Sequence, residues 1–181
     1  MSRTALLVMD VQPAVVARYP DPGYLPRLRT AVDVARTAAL PVIFVGVGFR
    51  AGAPEVDPAN RMFGGLAGRD LPATGTEFHP AVSPLPTEPV VTKRRVSAFA
   101  GSDLDLLLRA QRIDHLVLAG IATSGVVLST VRQAADLDYR LTVLADACLD
   151  NDPAVHEVLV GKVFPTQADV TATDTWSRRP V

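Results

Sequence analysis

The sequence has almost no cysteine, little net charge and no long apolar run. Cys148 is the single cysteine among 181 residues, which excludes an internal disulfide and fits the reducing cytoplasm. Eighteen basic and 19 acidic residues give a net charge of −1, without the basic patch that nucleic acids or acidic lipids require. No apolar run approaches the roughly 18 residues of a membrane span, and the first apolar stretch is too short for a signal peptide. We therefore expect a cytoplasmic protein whose partners include neither a nucleic acid nor a membrane.

What the sequence does contain is typical of a folded protein. Hydrophobic residues make up 48% of the chain, and the mean hydropathy is +0.21. A chain of this length buries a substantial core, and no repeat or low-complexity segment divides it. We therefore expect one domain over residues 1–181.

Short apolar runs alternate with amphipathic stretches along the whole chain. Because these strands and helices alternate and the strands are apolar on both faces, the sequence predicts an α/β fold with a mostly parallel, covered sheet. Residues 50–88 are rich in proline and glycine, which predicts a long loop with a helical turn near 60–67, and such loops are usually functional. The predicted strands are 4–10, 41–49, 89–93, 114–120, 139–146 and 168–173, and the predicted helices are 24–40, 102–110, 124–137 and 152–163.

Two ionisable residues stand where predicted strands end. Asp10 ends the first strand, and Lys93 ends the third. Ligands of open parallel sheets bind beyond the carboxyl ends of the strands, near the point where the strand order reverses. A nearby ammonium favours the charged form of a carboxylate while burial opposes it, and such opposed effects produce tuned acids and bases. Taken singly, each residue also has an ordinary explanation, as a turn cap or as a strand exit into water.

Four segments together resemble the isochorismatase-like (cysteine hydrolase) superfamily over essentially the whole chain. They are LLVMDVQ at 6–12, KRRVSAF at 93–99, LVLAGIATSGVV at 116–127 and AADLDYRLTVLADAC at 134–148. Each segment alone is a weak signal, but all four in this order and spacing are specific. The resemblance implies a three-layer α-β-α, Rossmann-like fold around a six-stranded parallel sheet. It also implies a small-molecule substrate and assembly as a homodimer or homotetramer.

The catalytic triad of the family consists of Asp, Lys and Cys. Matched by motif, these positions are Asp10, Lys93 and Val126, so the position of the cysteine has no lone pair for covalent catalysis. The resemblance also implies a non-proline cis peptide before Ala122 and an oxyanion hole made by the backbone amides of Ala122 and Val126, which no side-chain change removes. Cys148 ends the next predicted strand and is expected to be a small buried side chain rather than a replacement nucleophile.

Nicotinamidase members of the family bind a metal through an Asp and histidines after the second strand. The corresponding stretch, 46–61, contains no histidine, so we predict no metal site, and the resemblance implies no cofactor. The chain's three histidines, His79, His115 and His156, are scattered and are expected to be structural or surface residues.

Eight further residues are candidates for substrate binding. A guanidinium group can hold a carboxylate through two hydrogen bonds, aromatic rings can wall a pocket, and amide and hydroxyl groups offer polar contacts. Ordinary roles stay open beside these: arginines in water, rings in the core, a serine that caps the helix and a threonine that supports the turn. The candidates are Gln12, Phe49, Arg50, Asn60, Arg61, Phe99, Thr123 and Ser124.

The leading hypothesis is a small-molecule hydrolase that works without covalent cysteine catalysis. Asp10 would be a general acid or a base toward water, Lys93 would balance the charge, and the bond cleaved would be a vinyl ether or an amide C–N bond. Isochorismatases, which carry a small residue in place of the cysteine, cleave a vinyl ether in this way. Two departures stand against that chemistry: Val126 is bulkier, and Val96 replaces an aromatic residue of those enzymes. The alternatives are a catalytically retired ligand-binding or interaction protein and a serine-based acyl transfer through Ser124.

Overall fold

A six-stranded sheet forms the centre of the computed structural model, which describes residues 3–70 and 72–178. Its strands lie in the order β3-β2-β1-β4-β5-β6, and every pair of neighbours is parallel. The α/β fold predicted from the sequence is therefore confirmed. The strands are β1 (Thr4–Met9), β2 (Val42–Val47), β3 (Val90–Lys93), β4 (His115–Ile121), β5 (Arg140–Leu149) and β6 (Asp169–Thr171).

Helices cover both faces of this sheet. They are α1 (Pro13–Val16), α2 (Tyr24–Thr37), α3 (Leu104–Ala110), α4 (Leu128–Asp136), α5 (Pro153–Val158) and α6 (Thr173–Ser177). Short 3-10 turns occur at Gly64–Leu66, Pro80–Val82 and Phe164–Thr166, and wider π-helical turns at Thr123–Val127 and Leu159–Val163. No helix in the described part of the chain is long and apolar enough to cross a membrane.

The first strand shows why the sheet is apolar on both sides. Leu7 and Met9 join the buried cluster that α3 and α4 cover, whereas Leu6 and Val8 join the cluster that α2 and α6 cover. Successive strand residues point to opposite faces, so a sheet covered on both faces needs a continuous apolar run rather than an alternating one. Each fully buried leucine or valine contributes about 1.5–3 kcal/mol to folding.

Several element boundaries differ from the sequence-based prediction. The predicted helix 124–137 begins at residue 128, after the π-helical turn, and the predicted helix 152–163 becomes another such turn after residue 158. The strand predicted over 139–146 extends to residue 149. Two short helices, 13–16 and 173–177, were not predicted, because four or five residues are too few to show a helical period.

Asp152 and Pro153 explain why α5 begins where it does. Asp152 is the N-cap, and its Oδ1 accepts a hydrogen bond from the Ala154 amide at 2.9 Å. Pro153 occupies the first helical position, where its missing N–H leaves no hydrogen bond unmade.

The long loop after β2 returns to the end of that strand and packs against it closely. A Cβ atom added to Gly48 would lie 2.1 Å from the backbone oxygen of Thr74 and 2.5 Å from Cα of Gly75. The Thr74 amide also donates to the Phe49 oxygen at 3.0 Å. Only glycine therefore allows the returning loop to lie against the strand end at this point.

We expect Gly48→Ala to lower the free energy of unfolding by about 1–3 kcal/mol, because backbone rather than a flexible side chain must move to admit the methyl group. Gly65→Ala is the matched control, since nothing lies within 4 Å of a Cβ added there. Its effect should stay within about 0.5 kcal/mol. Urea denaturation measures both, and equal midpoints for the two variants would contradict the close packing.

Candidate active site

Asp10 lies at the exit of β1 and is held by the sheet. Its amide donates to the Val45 oxygen of β2 at 2.7 Å, so the backbone is still part of the sheet at this residue. Its φ of 57° lies in the left-handed region, which Asp and Asn tolerate better than most other residues. The chain then turns away from the sheet into α1, and the carboxyl group stays at the carboxyl edge.

Lys93 reaches Asp10 from two strands away. Strand β2 lies between β1 and β3, so the two backbones are separated by roughly 10 Å, a span that needs a long side chain. Lys93 Nζ lies 3.0 Å from Asp10 Oδ2 and donates to the backbone oxygen of Arg95 at 2.9 Å. The side chains of Lys93 and Asp10 are only 2% and 11% exposed. The two strand-end charges singled out in the sequence are thus in contact.

Burial changes the proton affinity of both groups. It raises the pKa of Asp10, an effect that the Lys93 ammonium opposes, and the pKa of the carboxyl group stays above its ordinary value. Burial also lowers the pKa of Lys93, against the opposing effect of the carboxylate. Asp10 Oδ1 is buried and accepts no hydrogen bond from any residue in the described ranges. The arrangement therefore offers a carboxyl group poised to give or take a proton, with one oxygen uncommitted.

The turn after β4 approaches the same pair. Its first peptide bond, between Ile121 and Ala122, is cis, as the family resemblance implied. The Ala122 oxygen accepts from the amides of Gly125 and Val127 at 3.0 and 3.2 Å, which closes a π-helical turn. The turn places Val126 in the lining of the same cleft as Asp10 and Lys93.

Side chains from the segment after β5 hold this turn. Asp150 Oδ2 accepts from the Ser124 amide at 2.6 Å, and a hydrogen bond of 2.8 Å joins Thr123 Oγ1 to Nδ1 of His156. The expectation that Ser124 caps the helix is wrong, because the N-cap position is Ala122 and no side chain of the turn caps it. The bond to Thr123 gives His156 a structural role, as was expected of the chain's histidines.

A cleft of about 560 Å³ opens over Asp10 and Lys93. The rings of Phe49 and Phe63 form one wall, with their centroids 5.3 Å apart. The β1–α1 segment contributes Asp10, Val15, Arg18 and Tyr19; the long loop contributes Phe49, Met62, Phe63 and Leu66; the β4 turn contributes Ile121, Ala122, Ser124, Gly125 and Val126; the strands contribute Val47 and Lys93. The cleft is therefore mostly apolar, with a few polar groups at its base and rim.

Of the eight predicted substrate-binding residues, Phe49 and Ser124 line this cleft. Thr123 is buried beneath the turn. Phe99 is also buried and packs against Tyr139, with the ring centroids 6.0 Å apart.

The four remaining candidates lie away from the lining of the cleft. Gln12 binds both backbone groups of Val47, and the Asn60 side chain accepts from the next turn's amides at 2.9 and 3.1 Å. Arg50 lies 3.5 Å from Glu55, and Arg61 is exposed. In this arrangement, the side chains of Gln12, Arg50 and Asn60 thus contact other parts of the chain.

Sequence reasoning missed the contribution of the segment after Asp10. Val15, Arg18 and Tyr19 line the cleft, and Met62 and Leu66 do so from the long loop. One signal was available: residues that follow a charged strand end lie at the same edge of the sheet as that charge.

Cys148 lies in β5 and lines a second cavity, of about 470 Å³, together with Asp21, Arg27 and His156. Its side chain is 3% exposed, and its Sγ lies 3.9 Å from the Leu118 oxygen. Burial raises the pKa of the thiol to about 12, so the reactive thiolate is scarce at neutral pH.

No metal-binding arrangement emerges from residues 3–70 and 72–178, where no three His, Cys, Asp or Glu side chains group closely enough to hold an ion.

Comparison with known proteins shows a consistent family likeness. The family model for the isochorismatase domain matches residues 4–175. The chain is 34% identical over 163 residues to the isochorismatase family protein YwoC of Bacillus subtilis (strain 168), covering 90% of this chain and 86% of that protein. It is 34% identical over 172 residues to the ureidoacrylate amidohydrolase RutB of Variovorax paradoxus (strain S110), covering 81% of this chain and 68% of RutB. The crystal structure of N-carbamoylsarcosine amidase from Thermoplasma acidophilum superposes with a TM-score of 0.72 at 26% identity, covering 95% and 97% of the two chains.

We expect a double-mutant cycle on Asp10 and Lys93 to show strong coupling. Asp10→Asn keeps the left-handed backbone but leaves a buried ammonium without its counter-ion, which should cost about 3–5 kcal/mol of stability. The double variant, Asp10→Asn with Lys93→Met, lacks both charges, and its free energy of unfolding should lie within about 1 kcal/mol of that of the native protein. Urea denaturation at pH 7 measures the cycle, and additive losses would contradict a coupled pair.

The stability of Asp10→Asn should depend on pH between neutrality and the alkaline range. Without Asp10's charge, the pKa of Lys93 falls further below its ordinary 10.5, so the unfolded chain binds the proton more tightly than the folded one. The free energy of unfolding of Asp10→Asn therefore decreases as the pH falls below 10.5 and increases again as the pH rises toward that value. Asp10→Asn should therefore gain more stability between pH 7 and 10 than the native protein does.

Proposed function

Because the chain belongs to the isochorismatase family, we propose that it is a small-molecule hydrolase whose acid–base centre is Asp10 with Lys93. The observation that carries the proposal is the buried contact of 3.0 Å between Asp10 Oδ2 and Lys93 Nζ at the base of a cleft. A carboxyl group with a raised pKa is suited to proton transfer near neutrality. The uncommitted Oδ1 leaves room on the carboxyl group for a water molecule or a substrate atom.

The relatives favour cleavage of a C–N bond. An amidohydrolase named for ureidoacrylate and an amidase named for N-carbamoylsarcosine both align with most of this chain, and both names describe carbonyl–nitrogen chemistry. We therefore place an amide or ureido carbonyl in the cleft. A vinyl ether is the second substrate class, cleaved after protonation of its carbon by the same carboxyl group.

Each step of the proposed C–N cleavage can be assigned to a group in the cleft. The Asp10 carboxylate takes a proton from water as the water oxygen bonds to the carbonyl carbon, and the carbonyl π electrons move to its oxygen. The amides of Ala122 and Val126 hold that oxyanion, and Lys93 keeps the site electrically balanced. Electrons of the oxyanion then re-form the carbonyl as the C–N bond breaks, its electron pair leaves with the nitrogen, and Asp10 returns the proton to that nitrogen, which regenerates the carboxylate.

We further propose that the mechanism includes no covalent cysteine intermediate. Residue 126 occupies the matching motif position and lines the cleft, but the valine side chain has no lone pair. Cys148 lines the other cavity, and the raised pKa of its thiol works against nucleophilic attack. Ser124 lines the cleft, yet the neighbouring His156 bonds to Thr123 instead of to Ser124.

We expect Asp10→Asn to lower kcat/KM by at least about 100-fold, because general acid–base catalysis contributes 100-fold or more. Cys148→Ala is the control and should retain native kcat/KM within about twofold. Release of ammonia or amine from ureido acids and amides measures C–N cleavage, and carbonyl formation measures cleavage of vinyl ethers. Full activity in Asp10→Asn, or its loss in Cys148→Ala, would contradict the mechanism. Ligand binding without turnover of any class would identify a retired binding protein.

We expect Val126→Cys, made in a Cys148→Ala background, to create a thiol-dependent amidase. The new thiol would lie in the cleft beside Asp10 and Lys93, where the acid–base pair can deprotonate it. Iodoacetamide should abolish the activity of this variant and leave the Cys148→Ala parent unaffected. Equal sensitivity of the two proteins to iodoacetamide, or an inert variant that still folds, would mean that residue 126 does not face the reacting carbonyl.

A further inference from the structure

The rim of the cleft carries a guanidinium group that the protein leaves unused. Arg18 lines the cleft, and no residue in the described part of the chain forms a hydrogen bond or an ion pair with its side chain. The arginines of the nearby loop and strand exit are engaged: Arg50 and Arg94 lie 3.5 and 3.4 Å from Glu55, and Arg95 donates to the Glu55 backbone oxygen at 2.7 Å. Arg18 is therefore the guanidinium of the cleft that is available to a ligand.

The backbone around Arg18 is ordered relative to Asp10. Helix α1 begins three residues after Asp10, the Arg18 amide donates to the Val15 oxygen at 3.0 Å, and the Tyr19 amide donates to the Val16 oxygen at 2.9 Å. Tyr19 is buried and lines the cleft, and its hydroxyl group has no hydrogen-bond partner among the residues that the structure describes. Arg18 and Tyr19 thus belong to one hydrogen-bonded turn that follows Asp10 in the chain, and each carries a donor group without a partner among the described residues.

The charges of the cleft favour an anion at this rim. Asp10 and Lys93 form a neutral pair at the base, so Arg18 is the charge of the lining that has no counter-ion. Most of the other residues that line the cleft are apolar, with the paired rings of Phe49 and Phe63 prominent among them. A ligand that matches this pattern has a carboxylate at one end, a short apolar body and a reacting carbonyl at the other end.

We propose that Arg18, assisted by the Tyr19 hydroxyl, binds the carboxylate of the substrate and so selects small anionic carbonyl compounds. This assignment rests on the proposed function only in placing the reacting carbonyl beside Asp10. The guanidinium presents two parallel N–H donors that match the two oxygens of a carboxylate. Arg18 is thus a specificity-determining residue whose effect belongs in ligand affinity rather than in the chemical step.

The test uses two ligands that cannot be hydrolysed, 4-oxopentanoate and its neutral counterpart 5-hydroxypentan-2-one. Both carry a ketone where the scissile carbonyl would lie, and they differ in the carboxylate. The native protein should bind the acid roughly tenfold more tightly than the alcohol, as measured by NMR titration at low salt. Arg18→Gln should remove that preference, and Arg18→Lys should retain part of it, because an ammonium keeps the charge and loses the paired geometry.

Arg61→Gln is the matched control, since Arg61 also has no partner in the described ranges but lies outside the cleft lining. It should keep the native preference for the acid. An unchanged preference in Arg18→Gln, equal binding of the two ligands, or binding of neither to the native protein would overturn the assignment. Because neither ligand is turned over, these outcomes are independent of hydrolysis. A carboxylate preference that depends on Arg18 can stand even if Asp10→Asn leaves activity unchanged. Conversely, Asp10→Asn can abolish activity even if Arg18 has no effect on ligand binding.

Discussion

The buried contact between Asp10 and Lys93 constrains much of the structure around it. Two opposite charges withdrawn from water cost several kcal/mol each, and only close contact and hydrogen bonding offset that cost. The left-handed backbone at Asp10 and the long lysine stem that crosses β2 are the means by which two non-adjacent strands meet this requirement. The Arg95 oxygen supplies a further hydrogen bond to the ammonium. An arrangement this costly contributes little net free energy to folding, which fits the proposed acid–base role better than a purely structural one.

The turn at residues 123–127 depends on a different part of the chain. Asp150 and His156, which follow β5, hold its first two residues through side-chain hydrogen bonds. The cleft is therefore assembled from both halves of the sheet: Asp10 and Lys93 come from the ends of β1 and β3, and Ala122, Gly125 and Val126 come from the turn after β4. Parallel strands make this convergence possible, because all of their carboxyl ends lie at one edge.

The strands and the charged pair were predictable from the sequence for a physical reason. A strand covered on both faces must be apolar throughout, so TALLVM and HLVLAGI are recognisable as strands. Against such strands, Asp10 after β1 and Lys93 at the end of β3 stand out as charged exceptions. Arg18 and Tyr19 were missed because the helix before them has four residues and no periodicity. Arg50 and Asn60 became candidates through their side-chain chemistry and their place in the long loop, which do not reveal that the loop uses these side chains for its own contacts. Local pattern thus identifies elements, whereas side-chain partners within an irregular loop require coordinates.

The long loop is tied down at both of its ends. Near its start, Glu55 contacts Arg94 and Arg50 and offers its backbone oxygen to Arg95, and near its return, Thr74 and Gly75 lie against Gly48. The stretch between these ties carries Met62, Phe63 and Leu66 into the cleft. Substitutions within that stretch would therefore reshape the apolar wall of the cleft, while Asp10 and Lys93, which belong to the sheet, would stay in contact.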